Sequence, residues 1–158
     1  AVSDITAKFY TSIADLSTPL GTSIASKVVT ADANGDVSFS EEIIAKSYNE
    51  TYLAVTSSVN ATSVDCETGN MFMHTLTEAT TFTFSNPPAS GIGYVMSLEI
   101  IQDASGSGFA VTWPTSIDWP AATAPTISPA ANAVDVFVFS TRDGGTTWYG
   151  FTAGQAIA

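Results

Sequence analysis

The chain has 158 residues and a formal net charge of −11, with four Lys and Arg against 15 Asp and Glu. Such an acidic surplus repels a phosphate backbone, which excludes nucleic acid as a partner. A hydrophobic content of 45% excludes intrinsic disorder. No apolar run reaches the roughly 18 residues that membrane insertion requires, and the single cysteine, Cys66, excludes an intrachain disulfide. The length suits one buried domain with an additional arm.

Residues 1–48 are predicted to form an N-terminal arm that serves assembly. Four large apolar side chains recur there at helical spacing, behind Ser3 as a possible cap and before Pro19: Ile5, Phe9, Ile13 and Leu16. This spacing predicts a short amphipathic helix. The alternative is a stack of similar small units, because an Ile stands three places before a Lys at three points: Ile5 and Lys8, Ile24 and Lys27, Ile43 and Lys46.

A hairpin turn is predicted at Asn34 and Gly35, between two short β-prone runs. Asp32, Asn34 and Asp36 also alternate like the first ligands of a calcium loop. Val37 stands where such a loop requires glycine, so a plain turn is favoured and the three residues are only a weak metal candidate. No cofactor is expected.

Residues 49–158 are predicted to form a β-sandwich domain. Short β-prone runs alternate there with turn residues, a pattern typical of an antiparallel, jelly-roll-like sandwich. Eight strands are predicted, near residues 50–57, 61–66, 71–77, 80–85, 94–102, 109–113, 134–140 and 147–152. The proline-rich stretch from Pro114 to Asn132 is predicted to be an irregular loop. The predicted fold class is therefore all-β.

The clearest predicted element is a β-hairpin from Ala133 to Phe151. Its first strand is apolar on both faces, with three valines on one face and an aspartate and two phenylalanines on the other: Val134, Val136, Val138, Asp135, Phe137 and Phe139. Such a strand should be central in its sheet. Asp143, Gly144 and Gly145 supply the positive-φ residues that a tight turn requires.

Groups that could carry catalysis are scarce. His74, the only histidine, alternates with apolar neighbours and is interpreted as a core or interface residue. Cys66 is interpreted as a small buried hydrophobe and not as a reactive thiol. Glu99 and Asp103 leave a hydrolase as a remote alternative, which would require both carboxylates in one cleft. The chain is therefore predicted not to be an enzyme.

Aromatic side chains suggest a second function, the binding of host-surface glycan. Planar rings beside Asp, Asn or Thr can stack on sugar faces. The candidates are Trp119, Trp148 and Tyr149. Trp148 is also interpreted, together with Trp113, as filling the core between two sheets, whereas Trp119 lies in the predicted loop.

From about Asn49 onward the chain resembles a C-terminal module of tailed-bacteriophage virion structural proteins. The matching segments, in order, are "NMFMHTLTEATTFTFSNPP", "LEIIQDASGSGFAVTWP", "IDWP", "TAPTIS" and "NAVDVFVFSTRDGGTTWYGFTAGQ". The resemblance implies a non-enzymatic component of the virion, either a tail or head fibre or a capsid decoration protein, made in the bacterial host cytoplasm. It further implies a homotrimer that serves adhesion or particle assembly, with partners such as the major capsid or tail proteins.

Overall fold

The computed structural model describes residues 46–157. Nine strands lie in this range: β1 (Tyr52–Ala54), β2 (Ala61–Asp65), β3 (Met71–Thr75), β4 (Thr80–Ser85), β5 (Tyr94–Ile101), β6 (Val111–Thr112), β7 (Ile117–Asp118), β8 (Val134–Thr141) and β9 (Trp148–Ile157). Two short 3-10 turns, Cys66–Thr68 and Pro120–Ala122, accompany them. The prediction of an all-β fold is confirmed for these residues. Across the same residues we find no helix of the length and apolarity needed to cross a membrane.

Several predictions concern residues that the structure does not describe. These are the arm helix, with Ile5, Phe9, Ile13 and Leu16, and the weak metal candidate, with Asp32, Asn34 and Asp36. Both lie outside the described residues, and the division into an arm at 1–48 and a domain at 49–158 stays a prediction.

The strands form two sheets, and the chain alternates between them. The large sheet has the order β1-β3-β5-β8-β9-β7, and the small sheet has the order β2-β4-β6. From β1 to β7 each strand lies in the sheet opposite to that of the strand before it. A strand that returns to its own sheet therefore runs parallel to its predecessor there, as in the pairs β1–β3, β3–β5, β2–β4 and β4–β6.

The prediction of antiparallel pairing is wrong for five of the seven strand pairs within residues 46–157. An antiparallel pair can be closed by a two-residue turn, whereas a parallel pair needs a crossover connection. At the turns between β1 and β7 the chain crosses to the other sheet. Consecutive strands therefore do not pair with each other. Asn60 and Asn86, at φ of 61° and 50°, lie at two of these crossings.

The predicted loop from Pro114 to Asn132 also contains a strand. Ile117 of β7 is buried and pairs with Trp148, which adds β7 in parallel to the edge of the large sheet. Burial of Ile117 and Ile127 helps to order a segment whose composition is that of an irregular loop.

The predicted hairpin is confirmed. β8 lies between β5 and β9, pairs antiparallel with both, and is central in the large sheet. Gly144 and Gly145 have φ of 71° and 76°, and a Cβ at Gly145 would approach Pro87 Cγ within 2.7 Å. Asp143 Oδ1 accepts a hydrogen bond of 2.9 Å from the Thr147 N–H, and this bond holds the pKa of Asp143 below its usual value.

One apolar core lies between the facing sides of the two sheets. The ring centroid of Phe82, in the small sheet, is 5.5 Å from that of His74 in the large sheet. Phe84, also in the small sheet, lies 5.0 Å from both Phe139 and Trp148 in the large sheet. A fully buried side chain of this size contributes about 1.5–3 kcal/mol, so these contacts between the sheets are a major part of the stability.

A buried carboxylate joins three segments of the chain at one end of this core. Asp135 is fully buried in β8 and accepts hydrogen bonds from the Ser128 N–H at 2.7 Å and the Ala156 N–H at 2.8 Å. Because buried carboxylates are costly unless they are hydrogen-bonded, both bonds are needed. They hold the proline-rich segment and the end of β9 against β8.

Candidate functional site: the outer face of the large sheet

The large sheet has one side in the core and one side turned away from it. Side chains alternate between the two sides along each strand. In β5 every second residue is buried, from Tyr94 to Ile100, and the residues between them are exposed or half-buried. β8 alternates in the same way, with Asp135, Phe137 and Phe139 inside. We call the side that is turned away from the core the outer face.

Four rows of residues cross the outer face from strand to strand. The rows are Val95, Ser140 and Tyr149; Tyr52, Met71, Ser97, Val138 and Phe151; Ala54, Met73, Glu99, Val136 and Gly154; and Thr75, Ile101, Val134 and Ile157. Cross-strand partners have their Cβ atoms about 5 Å apart, so each row is a continuous line of side chains.

The outer face is rich in exposed apolar side chains. Nine large hydrophobic residues of the described chain are exposed, and six lie in these rows: Tyr52, Met71, Val95, Tyr149, Phe151 and Ile157. Val95 is 55% exposed and Phe151 is 50% exposed. Single exposed hydrophobes are ordinary, but a contiguous apolar patch marks an interaction site.

The small sheet is different on its own outward side. Apart from Ala61, its exposed strand residues there carry hydroxyl groups: Ser63, Thr81, Thr83 and Thr112. Such residues are ordinary on a solvated sheet surface. Within residues 46–157 the outward sides of the two sheets therefore differ in chemistry, and of these two sides only that of the large sheet is hydrophobic.

Charge on the outer face is low for so acidic a chain. In the four rows, all of them within the described residues, Glu99 is the single charged side chain. It is half-buried and lies beside Tyr52, where partial burial and the neighbouring Glu99 charge raise the pKa of the Tyr52 hydroxyl. At one end, the Arg142 guanidinium carbon lies 5.8 Å from the ring centroid of Tyr149. Depletion of charge is typical of the centre of a protein–protein interface.

The outer face also contains a depression of about 320 Å³. Its lining is mainly apolar, with Met71, Val95 and Val138, but it also includes the acidic residue Glu50. The small side chain of Ser97 leaves its floor open. Asn70 lies at the rim, where its side-chain amide donates a 2.6 Å hydrogen bond to the Val95 carbonyl. An apolar depression on an exposed sheet can receive one large apolar side chain.

The dimensions of the outer face suit a macromolecular partner. From β1 to β9 the sheet spans four inter-strand distances of about 4.8 Å, and the four rows extend over roughly 20 Å along the strands. With the width of the side chains included, this gives roughly 400–700 Å², compared with about 800 Å² per partner in a standard protein interface. The outer face is thus close to the size of one side of a subunit contact.

The three aromatic glycan candidates do not converge. Trp148 is 1% exposed, and its ring contacts Phe84 and Tyr94 in the core. Tyr149, the next residue, points to the outer face and is 38% exposed. Trp119 is half-buried on the core side, against Gly150, where a Cβ would approach its ring within 2.8 Å.

The candidate catalytic groups lie apart as well. His74 is buried, and its Nδ1 donates a 2.9 Å hydrogen bond to the Val55 carbonyl. Burial raises the pKa of the Cys66 thiol to about 11, which keeps it protonated and unreactive at neutral pH. Glu99 lies on the outer face, whereas Asp103 lies in the following loop and accepts the Ser107 N–H at 2.8 Å.

Sequence reasoning missed the outer face. The two apolar faces of β8 correctly predicted its central position within a sheet. They did not predict that its valine face lies on the surface. A usable signal was the alternation in β5, where Val95 and Ile101 fall on the side opposite to Met96 and Leu98. Two neighbouring strands that are both apolar on the side away from the core predict an exposed apolar sheet.

Comparison with known proteins adds no family. No protein-family model matches the chain, and a search of curated proteins finds no match. The resemblance to phage virion modules therefore stays a prediction.

Proposed function

We propose that this protein is a non-enzymatic structural component of a bacteriophage virion, of the fibre or capsid decoration type. It acts by packing the outer face against a neighbouring subunit of the particle. The observation that carries the proposal is the contiguous, weakly charged and exposed apolar surface of the large sheet. Removing such a surface from water is the dominant favourable contribution to association.

The finer features of the proposal have separate support. The aromatic contacts between Phe84 in the small sheet and Phe139 in the large sheet favour a two-layer β-sandwich. The parallel pairs do not favour a jelly roll, which is built from antiparallel strands. Assembly into a homotrimer, placement on the virion and contact with major capsid or tail proteins are supported by the resemblance alone.

A matched pair of exposed hydrophobes tests the role of the outer face. Val95 lies on it and is 55% exposed, whereas Ile92 lies in the preceding turn and is 56% exposed. We expect Val95→Asp to weaken self-association by about 100-fold, because it buries a charge in an apolar contact. Ile92→Asp should leave association unchanged. Light scattering over a micromolar concentration series measures both, and a wild-type protein that is monomeric throughout would contradict the proposal.

Glycan binding is a second candidate function, favoured by the position of Tyr149. Its exposed ring lies in register with Asp118 of β7, which places a carboxylate beside a planar apolar surface. This combination can hold a sugar ring by stacking and by hydrogen bonds to hydroxyls.

Tyr149→Ala tests this second function. We expect it to weaken binding to a glycan found on an array by about tenfold or more, with unchanged thermal unfolding, because a stacking contact contributes roughly 1–3 kcal/mol. Thr112→Ala, on the outward side of the small sheet, is the control and should bind normally. Silence of the wild-type protein across a broad glycan array would remove this candidate.

A further inference from the structure

The outer face is self-complementary about its central strand. This inference rests on the proposed function and names the partner. We propose that the outer face packs against the outer face of a second copy of this chain, related to the first by a two-fold axis that runs along β8.

The two strands that flank β8 place unlike side chains on its two sides. β5 and β9 are both paired with it, so each outward residue of β8 has one neighbour on either side. At Val138 the neighbours are Ser97 and Phe151, and at Val136 they are Glu99 and Gly154. In the Val138 row a small side chain, Ser97, lies on one flank and a large one, Phe151, lies on the other. In the Val136 row a charged residue on one flank is matched by glycine on the other.

A two-fold axis along β8 brings these unlike flanks together. The rotation turns the second sheet over, so that β5 of one copy faces β9 of the other while the position along the strands is kept. Each flank lies about 4.8 Å from the axis, and packed sheets lie about 10 Å apart with their strands nearly aligned. Ser97 then faces Phe151 of the second copy, and Glu99 faces Gly154 of the second copy.

The depression and Phe151 fit this arrangement. The depression of about 320 Å³ is open above Ser97, and Phe151 is half-exposed in the same row on the other side of Val138. Each copy therefore offers one large apolar side chain and one cavity, at equal distances from the axis. The reciprocal insertion of a residue into its counterpart's pocket is what an isologous two-fold contact requires.

The charges permit the contact although both copies are acidic. Glu99 lies to one side of the axis, and its counterpart lies on the other side, so the two carboxylates do not face each other. Each faces Gly154 of the second copy, which bears no side chain of its own and is covered by the uncharged side chain of Ile157, and each has its own Tyr52 as a neighbour. Like charges placed directly opposite would cost several kcal/mol, and this arrangement avoids that cost.

The proposed axis is compatible with a separate three-fold contact. The resemblance implies a homotrimer, and residues 1–48 are the predicted assembly arm, so a three-fold contact through that arm would be additional to the two-fold contact. The two-fold contact would pair monomers, or pair trimers into hexamers. In either case, disrupting the outer face halves the particle mass.

A size swap tests the two-fold arrangement. Ser97→Phe fills the depression and should raise the dissociation constant of the pair about 100-fold, and Phe151→Ser should raise it about tenfold or more. The double variant exchanges the large and small partners and should recover to within about tenfold of wild type, since the two positions face each other. The axis would be overturned if both single variants weaken association and the double variant does not regain the wild-type dissociation constant.

Isotope-mixed cross-linking of the full chain provides a measurement that needs no disruptive variant. A photoreactive phenylalanine analogue at position 151 is placed in light chains, which are mixed with heavy chains. We expect links from position 151 of light chains to β5 of heavy chains. Links only within one chain would overturn the second copy as the partner, and links to residues 1–48 of heavy chains would overturn the axis along β8. A wild-type monomer in light scattering would contradict the proposed function as well, whereas a wild-type protein that associates without these links would contradict the two-fold axis alone.

Discussion

Replacing Trp148 by alanine is expected to lower the free energy of unfolding by about 3–5 kcal/mol. The indole is 1% exposed, and its ring lies 5.0 Å from that of Phe84 and 6.0 Å from that of Tyr94, so the truncation leaves a cavity between the two sheets. Trp148→Phe should cost less, because a ring remains in the site. Urea unfolding followed by circular dichroism measures the difference.

The neighbouring Tyr149 is the control for this experiment. It follows Trp148 in the same strand but points to the outer face, so Tyr149→Ala should change the unfolding free energy by less than about 1 kcal/mol. A loss of less than 1 kcal/mol in Trp148→Ala would contradict its role in the core. The contrast also separates stability from ligand binding, because any glycan binding lost with Trp148 would follow from unfolding.

Replacing Asp135 by alanine is expected to lower the free energy of unfolding by about 2–4 kcal/mol. The change removes the acceptor for two backbone N–H groups, those of Ser128 and Ala156, and leaves both without their partner. Relief of the desolvation of a buried carboxylate offsets part of this cost. Urea unfolding gives the total, and amide hydrogen exchange should show faster exchange at residues 128 and 156.

Two further variants sharpen the result at Asp135. Asp135→Asn keeps one acceptor oxygen but turns an NH₂ group toward the second N–H, so an intermediate loss is expected. Asp118→Ala removes an exposed carboxylate and should be nearly neutral. If Asp135→Ala were as stable as wild type, the two hydrogen bonds would not hold the proline-rich segment to the sheet.

The hairpin of β8 and β9 could be predicted from sequence because its determinants are local. The alternation around Val136 identifies the strand, and Gly144 and Gly145 identify the turn; both were placed correctly. No distant part of the chain is needed to specify either feature. The same locality explains why strand positions elsewhere were close to those in the structure.

The direction of pairing could not be predicted in this way. The residue type at Asn60 does not distinguish a chain that folds back on its neighbour from one that crosses to the other sheet. Asn tolerates the positive φ that either kind of turn can use. The pairing of β1 with β3 is decided by which strands share the core, which depends on the whole chain. β7 was missed for a related reason, since only Trp148 and the edge of β9 make Ile117 a strand residue.

Only part of the candidate site could be predicted from the sequence. The valine face of β8 was recognised, but whether it is covered or exposed depends on the number of sheets that flank it. The register that sets Glu99 and Gly154 on either side of Val136 depends on irregular pairing of β8 with β9, where a shift falls between Val136 and Phe137. Such a shift leaves no clear signal in the residues themselves.

The alternation of the chain between two sheets has a consequence for the order of folding. Met71 must find Ser97 and Ala61 must find Thr81 across intervening strands of the other sheet, so the search for each parallel pair closes a long loop. Ser140 meets Tyr149 across one short turn. Of the strand pairs described, β8–β9 is therefore expected to form fastest, although it is the last in sequence. The earlier strands of the large sheet can pair with β8 only after the chain has reached it. Such a topology predicts slow folding, in milliseconds to seconds. The hairpin of β8 and β9 would form first, and the remaining strands of the large sheet would then add to its edges.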